Sequence, residues 1–199
     1  VAVNRKPAAL AVPLGLLAAL AATTCSRQPR IEALSGFAQG TTYTLQWWSE
    51  SRVDADALGR EVTAELERVD ALLSNYRPDS VLERFNASAS TEPQAAPAEL
   101  VGLLRLASDV HRASSGCFDP TVRPLVHLWG FDGDSPHVPT DAELEAVRGA
   151  VGFESIEIVD DGHVRKRAGG VQVDMSSIGQ GYTVGRLAAI AERFGLADY

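Results

Sequence analysis

The chain has 199 residues, 45% of them hydrophobic and 22% charged, a size and make-up that suit one globular domain with a real core. Its formal net charge is −8, and Arg5 and Lys6 are the only charged residues among the first 24, so the remainder is more acidic still. An acidic surface repels phosphate backbones, which argues against nucleic acid as a partner; an anionic ligand would need a local cluster of donors or a metal ion.

In chain order, Arg5 and Lys6 precede an apolar run from Ala8 to Ala22, followed by small residues and Cys25. That order is the pattern of a secretory signal, expected over residues 1–24. The run contains Pro13 and Gly15 and is short for a permanent bilayer span; a short membrane anchor or a buried helix is the competing reading. Cys25 stands where bacterial lipoproteins are cut and lipidated, and plain cleavage after Ala21 is the alternative. Only Cys117 remains besides it, so no disulfide framework is implied. Residues 25–34 read as a tether. From Phe37 to Trp48, Thr41, Tyr43, Leu45 and Trp47 alternate as in a half-buried strand. Leu58, Val62, Leu66, Val69 and Leu73 recur at helical spacing and predict a helix from Asp54 to Ser74. Pro78 breaks it, and Asp79 or Ser80 caps a short helix ending near Asn86. Pro97 opens another helix, with Leu100, Leu103, Leu104, Ala107 and Val110 inward and Gly116 at its end.

Residues 117–139 have no period, and an ordered irregular segment of that length is often functional. Thr140 and Glu143 form a capping-box pattern for a helix ending near Gly149. Asp160-Asp161-Gly162 between Ser155–Val159 and His163–Arg167 predicts a hairpin. Val171 to Asp174 reads as a further strand. Gly179 and Gly181 then lead into a helix running to Phe194 with Gly195 as its cap, and Leu196 to Tyr199 reads as the start of a strand. Strands and helices do not alternate regularly, so the expected class is α+β, with a mixed, largely antiparallel sheet and packed helices.

Three stretches carry chemistry. Ser74-Asn75-Tyr76-Arg77-Pro78-Asp79-Ser80 puts an aromatic among turn-formers, where it either stacks on a planar ring or lies on the surface. Gly116-Cys117-Phe118-Asp119-Pro120-Thr121, followed by Trp129-Gly130-Phe131, is either a ligand wall or a structural turn with a hydrophobic plug. Val173-Asp174-Met175-Ser176-Ser177-Ile178-Gly179-Gln180-Gly181-Tyr182 places an acid before a helix start whose free N–H groups can hold phosphate; plain strand–turn–helix punctuation fits it equally. It has neither dinucleotide-fold nor P-loop spacing. The four histidines are scattered without zinc-ligand spacing, and no G-x-S-x-G occurs.

Taken in order from Gly36 to Tyr199, these motifs resemble the ApbE-like FAD:protein FMN transferases. The resemblance rests on Gly40-Thr41-Thr42-Tyr43, Leu73-Ser74-Asn75-Tyr76, Asp79-Ser80 with Arg84-Phe85-Asn86, Phe118-Asp119-Pro120-Thr121-Val122, Pro124-Leu125-Val126, Leu128-Trp129-Gly130-Phe131 and the Val173–Tyr182 stretch. It implies an exported enzyme of T-fold-like architecture on the periplasmic side of a bacterial membrane, anchored through lipid at Cys25. Its implied action is Mg²⁺-dependent cleavage of FAD, transfer of FMN to a Ser or Thr hydroxyl of an acceptor protein, and release of AMP. Acceptors of the implied kind are periplasm-exposed subunits of membrane redox complexes. The resemblance also implies that Tyr76 packs on the flavin, that Gln39, Cys117, Phe118, Asp119, Asp174 and Gln180 bind FAD, and that the Ser177 backbone carbonyl lies near Mg²⁺. Gln180 stands where many members have Lys, Gln39 where Met is common and Cys117 where Ala is common, and Gly185 replaces a frequent Asp. Residues 35–199 then correspond to the N-terminal part of the transferase domain, with the C-terminal part missing and the main metal ligands expected beyond Tyr199. A periplasmic FAD-binding lipoprotein, or an FAD pyrophosphatase using water as acceptor, is the alternative.

Overall fold

The computed structural model describes residues 30–131, 133 and 135–199; the expected signal segment and Cys25 lie outside them. Strand β1 (Glu32–Ala38) and strand β2 (Thr41–Trp47) form an antiparallel hairpin. Its two-residue turn, Gln39-Gly40, has positive φ at both positions, 51° and 76°, the sense that matches the twist of paired strands. The strand expected from Phe37 is therefore the second half of a hairpin, and β1 begins inside the stretch read as a tether.

Helix α1 (Ala55–Leu73) is capped by Asp54, whose side chain accepts from the Ala57 N–H. Its buried face is Leu58, Val62, Leu66, Val69, Leu72 and Leu73, the spacing of one helical stripe. Helix α2 (Val81–Ala87) starts at Ser80, whose hydroxyl accepts from Glu83 N–H. The short strand β3 (Gln94–Ala95) precedes helix α3 (Ala98–Ala113), which follows Pro97. The irregular segment contains the short helix α4 (Arg123–Leu128). Helix α5 (Asp141–Arg148) has the full capping box, Thr140 and Glu143 bonding reciprocally. Strands β4 (Ile156–Ile158) and β5 (His163–Lys166) form the second hairpin, with β3 on the other side of β5. Helix α6 (Ser176–Arg193) ends before Gly195, whose φ is 77°. The fold is α+β, and its strand pairs are antiparallel, in two small sheets instead of one.

Two expectations need correction. Val171–Asp174 is not a strand. Val171 and Val173 are fully buried, as their alternation requires, but the backbone pairs with a side chain: Val173 N–H donates to Asn86 Oδ1 and Asn86 Nδ2 donates to the Val173 carbonyl, both at 2.8 Å. Asp174 N–H goes to the Pro120 carbonyl at 2.7 Å. The amide of one asparagine thus replaces a neighbouring strand. Second, Gly179 and Gly181 do not form a turn before the last helix; α6 already runs from Ser176, and both glycines lie within it.

The core has two clusters. One joins the C-terminal half of α1 to α2, α3, β4, β5 and the Val171–Met175 segment; the other joins the first half of α1 to the β1–β2 hairpin, the second half of α6 and Leu196. Helices α1 and α6 run antiparallel along both clusters, tied by Arg186–Glu65 and Arg193–Glu61. Trp48 pairs with Asp198 as a single antiparallel bridge, which places the segment after α6 beside the hairpin.

Candidate functional site

A cavity of about 420 Å³ opens beside the first cluster, whose Val69, Leu73 and Met175 line it, within the size range of small-molecule sites. One wall is the end of α1 with the loop that follows, Val69, Asp70 and Leu73 to Arg77. The opposite wall is the start of α6, with Met175, Ser176, Gly179 and Gln180, and the hairpin turn Gln39-Gly40 closes one side. The lining mixes apolar floor residues with amides and hydroxyls. Arg77 and Asp70 bring charge to the wall. Asp79 and Asp70, hydrogen-bonded to Arg77, hold its guanidinium firmly protonated, and Arg77 in turn lowers the Asp79 carboxyl below its ordinary range.

The loop carrying Tyr76 is shaped from within. Ser80 Oγ donates to the Ser74 carbonyl at 2.6 Å, and Tyr76 N–H donates to Ser74 Oγ at 3.2 Å. The Tyr76 ring is left 82% exposed at the mouth of the cavity. Across from it, α6 starts after Met175, whose own side chain makes no cap; the Ser176 N–H donates to Asp174 Oδ1 at 2.7 Å, and the Ile178 and Gly179 N–H groups donate to the Met175 carbonyl. The Asp174 carboxylate thus sits at the positive end of the α6 dipole. Asp174 Oδ1 also accepts from Asn75 Nδ2 at 2.9 Å, so the two walls are bridged by a carboxylate and an amide.

The expected site residues divide into two groups. Gln39, Tyr76 and Gln180 line the cavity, and Asp174 is bonded to two residues that line it. Gln39 Oε1 lies 3.2 Å from Thr183 Oγ1, which holds the hairpin turn against α6. Cys117, Phe118 and Asp119 do not line the cavity. Cys117 is exposed. Asp119 is spent on structure: Oδ1 takes Thr121 N–H and hydroxyl at 2.8 and 2.6 Å, and Oδ2 takes Phe153 N–H at 3.1 Å. Phe118 gives its carbonyl to His111, whose ring stacks on Phe153. These residues reach the site only indirectly, because the adjacent Pro120 carbonyl receives Asp174 N–H. Ser177 is exposed in the first turn of α6. Among the described residues no three His, Cys, Asp or Glu side chains gather so as to hold a metal ion, so the groups present do not complete a Mg²⁺ site.

Asn75, Arg123, Ser176 and Met175 belong to the site without having been singled out from sequence. Asn75, Met175 and Ser176 lie inside motifs already noticed. Arg123 follows a Thr-Val pair in an aperiodic segment and carries no local signal.

A family model described as the ApbE family matches residues 39–199. The chain belongs to the ApbE family. An FAD:protein FMN transferase of Salmonella typhimurium is 34% identical over 181 residues, covering 88% of this chain and 52% of that protein. Its counterpart in Escherichia coli is 28% identical, covering 92% and 56%. The flavin transferase ApbE of Vibrio cholerae superposes with a TM-score of 0.80 at 34% identity, over 84% of this chain and 55% of that one. The apo flavinyl transferase ApbE of Pseudomonas stutzeri gives 0.78 at 33%, over the same shares. The chain thus spans about half the length of the ApbE proteins it matches.

Proposed function

We propose that this ApbE-family chain supplies the FAD-gripping half of an FAD:protein FMN transferase. The observation that carries the reading is the cavity itself, with an exposed aromatic ring at one wall and the start of a helix at the other. FAD is a planar aromatic ring joined to a diphosphate, and the two walls complement those two parts. Tyr76 stacks on the flavin. The α6 start, with Ser176, Gly179 and Gln180, receives the phosphates. Asp174, oriented by Asn75 and by the Ser176 N–H, accepts from the flavin or its ribityl chain.

The reaction proposed joins an acceptor Ser or Thr oxygen to the phosphorus of the FMN half. The bond from that phosphorus to the bridging oxygen breaks, AMP leaves, and the hydroxyl proton is lost to solvent. Mg²⁺ enters the proposal through the family resemblance; when bound it supplies neutralisation of the diphosphate charge. Export, a lipid anchor at Cys25 and acceptors among periplasm-exposed redox subunits belong to the same proposal, supported by Arg5-Lys6, the apolar run and the family.

The test incubates the protein, extended to the length of its relatives, with FAD, Mg²⁺ and a Ser/Thr-bearing acceptor, and weighs the acceptor. Gain of one FMN with release of AMP is the expected result. AMP release with an unmodified acceptor would favour the pyrophosphatase, and retention of intact FAD the binding lipoprotein; either overturns the transferase.

A further inference from the structure

We infer that Arg123 is a positioning residue that couples the Tyr76 loop to Asp174 by fixing the orientation of Asn75, an inference that rests on the FAD reading above. Arg123 is 6% exposed, and a buried cation needs partners for its charge and all its donors. Glu83 Oε2 lies 2.7 Å from Nη1 and balances the charge. Nε donates to His127 Nε2 at 3.1 Å. Two further hydrogen bonds converge on one residue: Nη1 donates to Asn75 Oδ1 at 2.7 Å and Nη2 to the Asn75 carbonyl at 3.0 Å.

That fork does two separate things. A guanidinium only donates, so Asn75 must turn its amide oxygen to Arg123. Its NH₂ group is then forced the other way, onto Asp174 Oδ1 at 2.9 Å and within 3.4 Å of Ser176 Oγ. A carboxylate only accepts, so the polarity imposed at one end of the amide is the polarity required at the other. The second bond holds the carbonyl of the peptide that joins Asn75 to Tyr76, and so fixes the direction in which the ring leaves the loop. One buried cation, contributed by the short helix α4 and in contact with no cavity wall except through Asn75, thereby sets the ring on one side of the cavity and the carboxylate on the other. Lysine cannot replace it, because a single ammonium has no fork to satisfy both oxygens.

The test compares Arg123→Lys, Asn75→Ala, the double variant and Asn75→Asp in the whole chain, first by amide hydrogen exchange without ligand. Arg123→Lys should speed exchange of the Tyr76 and Ser176 amides by roughly tenfold, the size of one lost charged hydrogen bond. In the Asn75→Ala background the same substitution should add little, because the coupling runs through Asn75. Asn75→Asp keeps the oxygen for Arg123 but sets a second carboxylate against Asp174; it should speed Ser176 and spare Tyr76, and it decides the matter should Arg123→Lys fail to fold. FAD binding, followed by quenching of flavin fluorescence, is the second measurement: Arg123→Lys should weaken it by roughly tenfold, and not further once Asn75 is Ala. Unchanged exchange at both amides, or full additivity in the double variant, overturns the coupling. Wild-type chain that binds no FAD would sink the functional reading alone, since the exchange measurements decide the coupling without ligand.

Discussion

Tyr76 holds a large ring in solvent with its backbone pinned and its hydroxyl unpartnered among the described residues. Such a ring gains most from a ligand that covers it. Tyr76→Ala should therefore weaken FAD binding by roughly 1–3 kcal/mol, by analogy with aromatic–base stacking, while Tyr76→Phe should be nearly neutral; titration by flavin fluorescence reads both, and equal losses would transfer the role from the ring to the hydroxyl. Gln39 shows the opposite economy. Its φ of 51° is a conformation that Asn tolerates better than Gln at this point of a two-residue hairpin. Gln39→Asn should raise stability by about 0.5–1 kcal/mol in urea unfolding and weaken FAD binding, because the shorter amide withdraws from Thr183 and the cavity. A variant no more stable than the parent would show that the turn is unstrained. That Tyr76 and Gln39 belong near the cavity they line was legible through the ordered motifs around them. Arg123 was not, since its role depends on the fold bringing it to Asn75, 48 positions away in sequence, and a lone Arg in an aperiodic stretch says nothing about its neighbours. Asp119 was legible as a residue of a turn, and its carboxylate closes that turn onto Thr121 and Phe153.

At the level of elements, the helices declared themselves through apolar stripes and caps: Asp54, Ser80 and the Thr140–Glu143 box act as their residue types imply. Strands were harder. β1 has no distinctive alternation and is recognised only through its partner, and Val171–Asp174 has strand-like burial without a strand beside it, since Asn86 supplies the pairing. Lys166 deepens that construction: fully buried, it donates to the Asn86 carbonyl at 3.2 Å and to that of Ser88, over the Phe85 ring, so a cation closes the end of α2. The contact between α1 and α6 also depends on charge. Glu65 accepts from Arg68 at 2.8 Å and from Arg186 at 2.6 Å, and Arg68 reaches on to Glu99, which Tyr182 also contacts. The hydrogen bond from Arg68, aided by Arg186, lowers the Glu65 carboxyl from its ordinary 4.5 to about 2. A carboxyl depressed by folding stabilises the folded state above its unfolded value and loses that contribution as pH falls through the folded one. Glu65→Gln should thus cost about 1 kcal/mol at neutral pH, the scale of a partly exposed ion pair. The gap between parent and variant should close as pH drops from 4.5 toward about 2. Urea midpoints across that range check it, and a pH-independent gap would assign the loss to packing.

For the molecule as a whole, the cavity lies beside the core cluster that supplies Val69, Leu73 and Met175 to its lining, with the hairpin turn Gln39-Gly40 closing one side. This arrangement was beyond reach of sequence reading, because no periodicity tells which face of α1 meets which end of α6. The proposed ring stacking on Tyr76, hydrogen bonding to Asp174 and phosphate contact at the α6 start need no metal. Cleavage of the diphosphate does need one, since the charge developing on the leaving phosphate must be neutralised. Mg²⁺ requires near-octahedral oxygen coordination, usually with one or two carboxylates besides phosphate. The carboxylate beside the α6 start, Asp174, already spends Oδ1 on Asn75 and Ser176. No cluster of three acidic, His or Cys ligands stands among the described residues to complete the site. The 199-residue chain should therefore bind FAD with nearly the same affinity in EDTA as in Mg²⁺, and should leave it intact in both. Equilibrium binding by fluorescence, with AMP measured by chromatography, reads the two quantities in one sample. Tighter binding by more than about tenfold on adding Mg²⁺, a gain above 1.4 kcal/mol, would mean that these residues, with the diphosphate itself, do assemble a metal site. Release of AMP would go further and place the reacting phosphorus, and the groups that neutralise its charge, within this half of the ApbE fold.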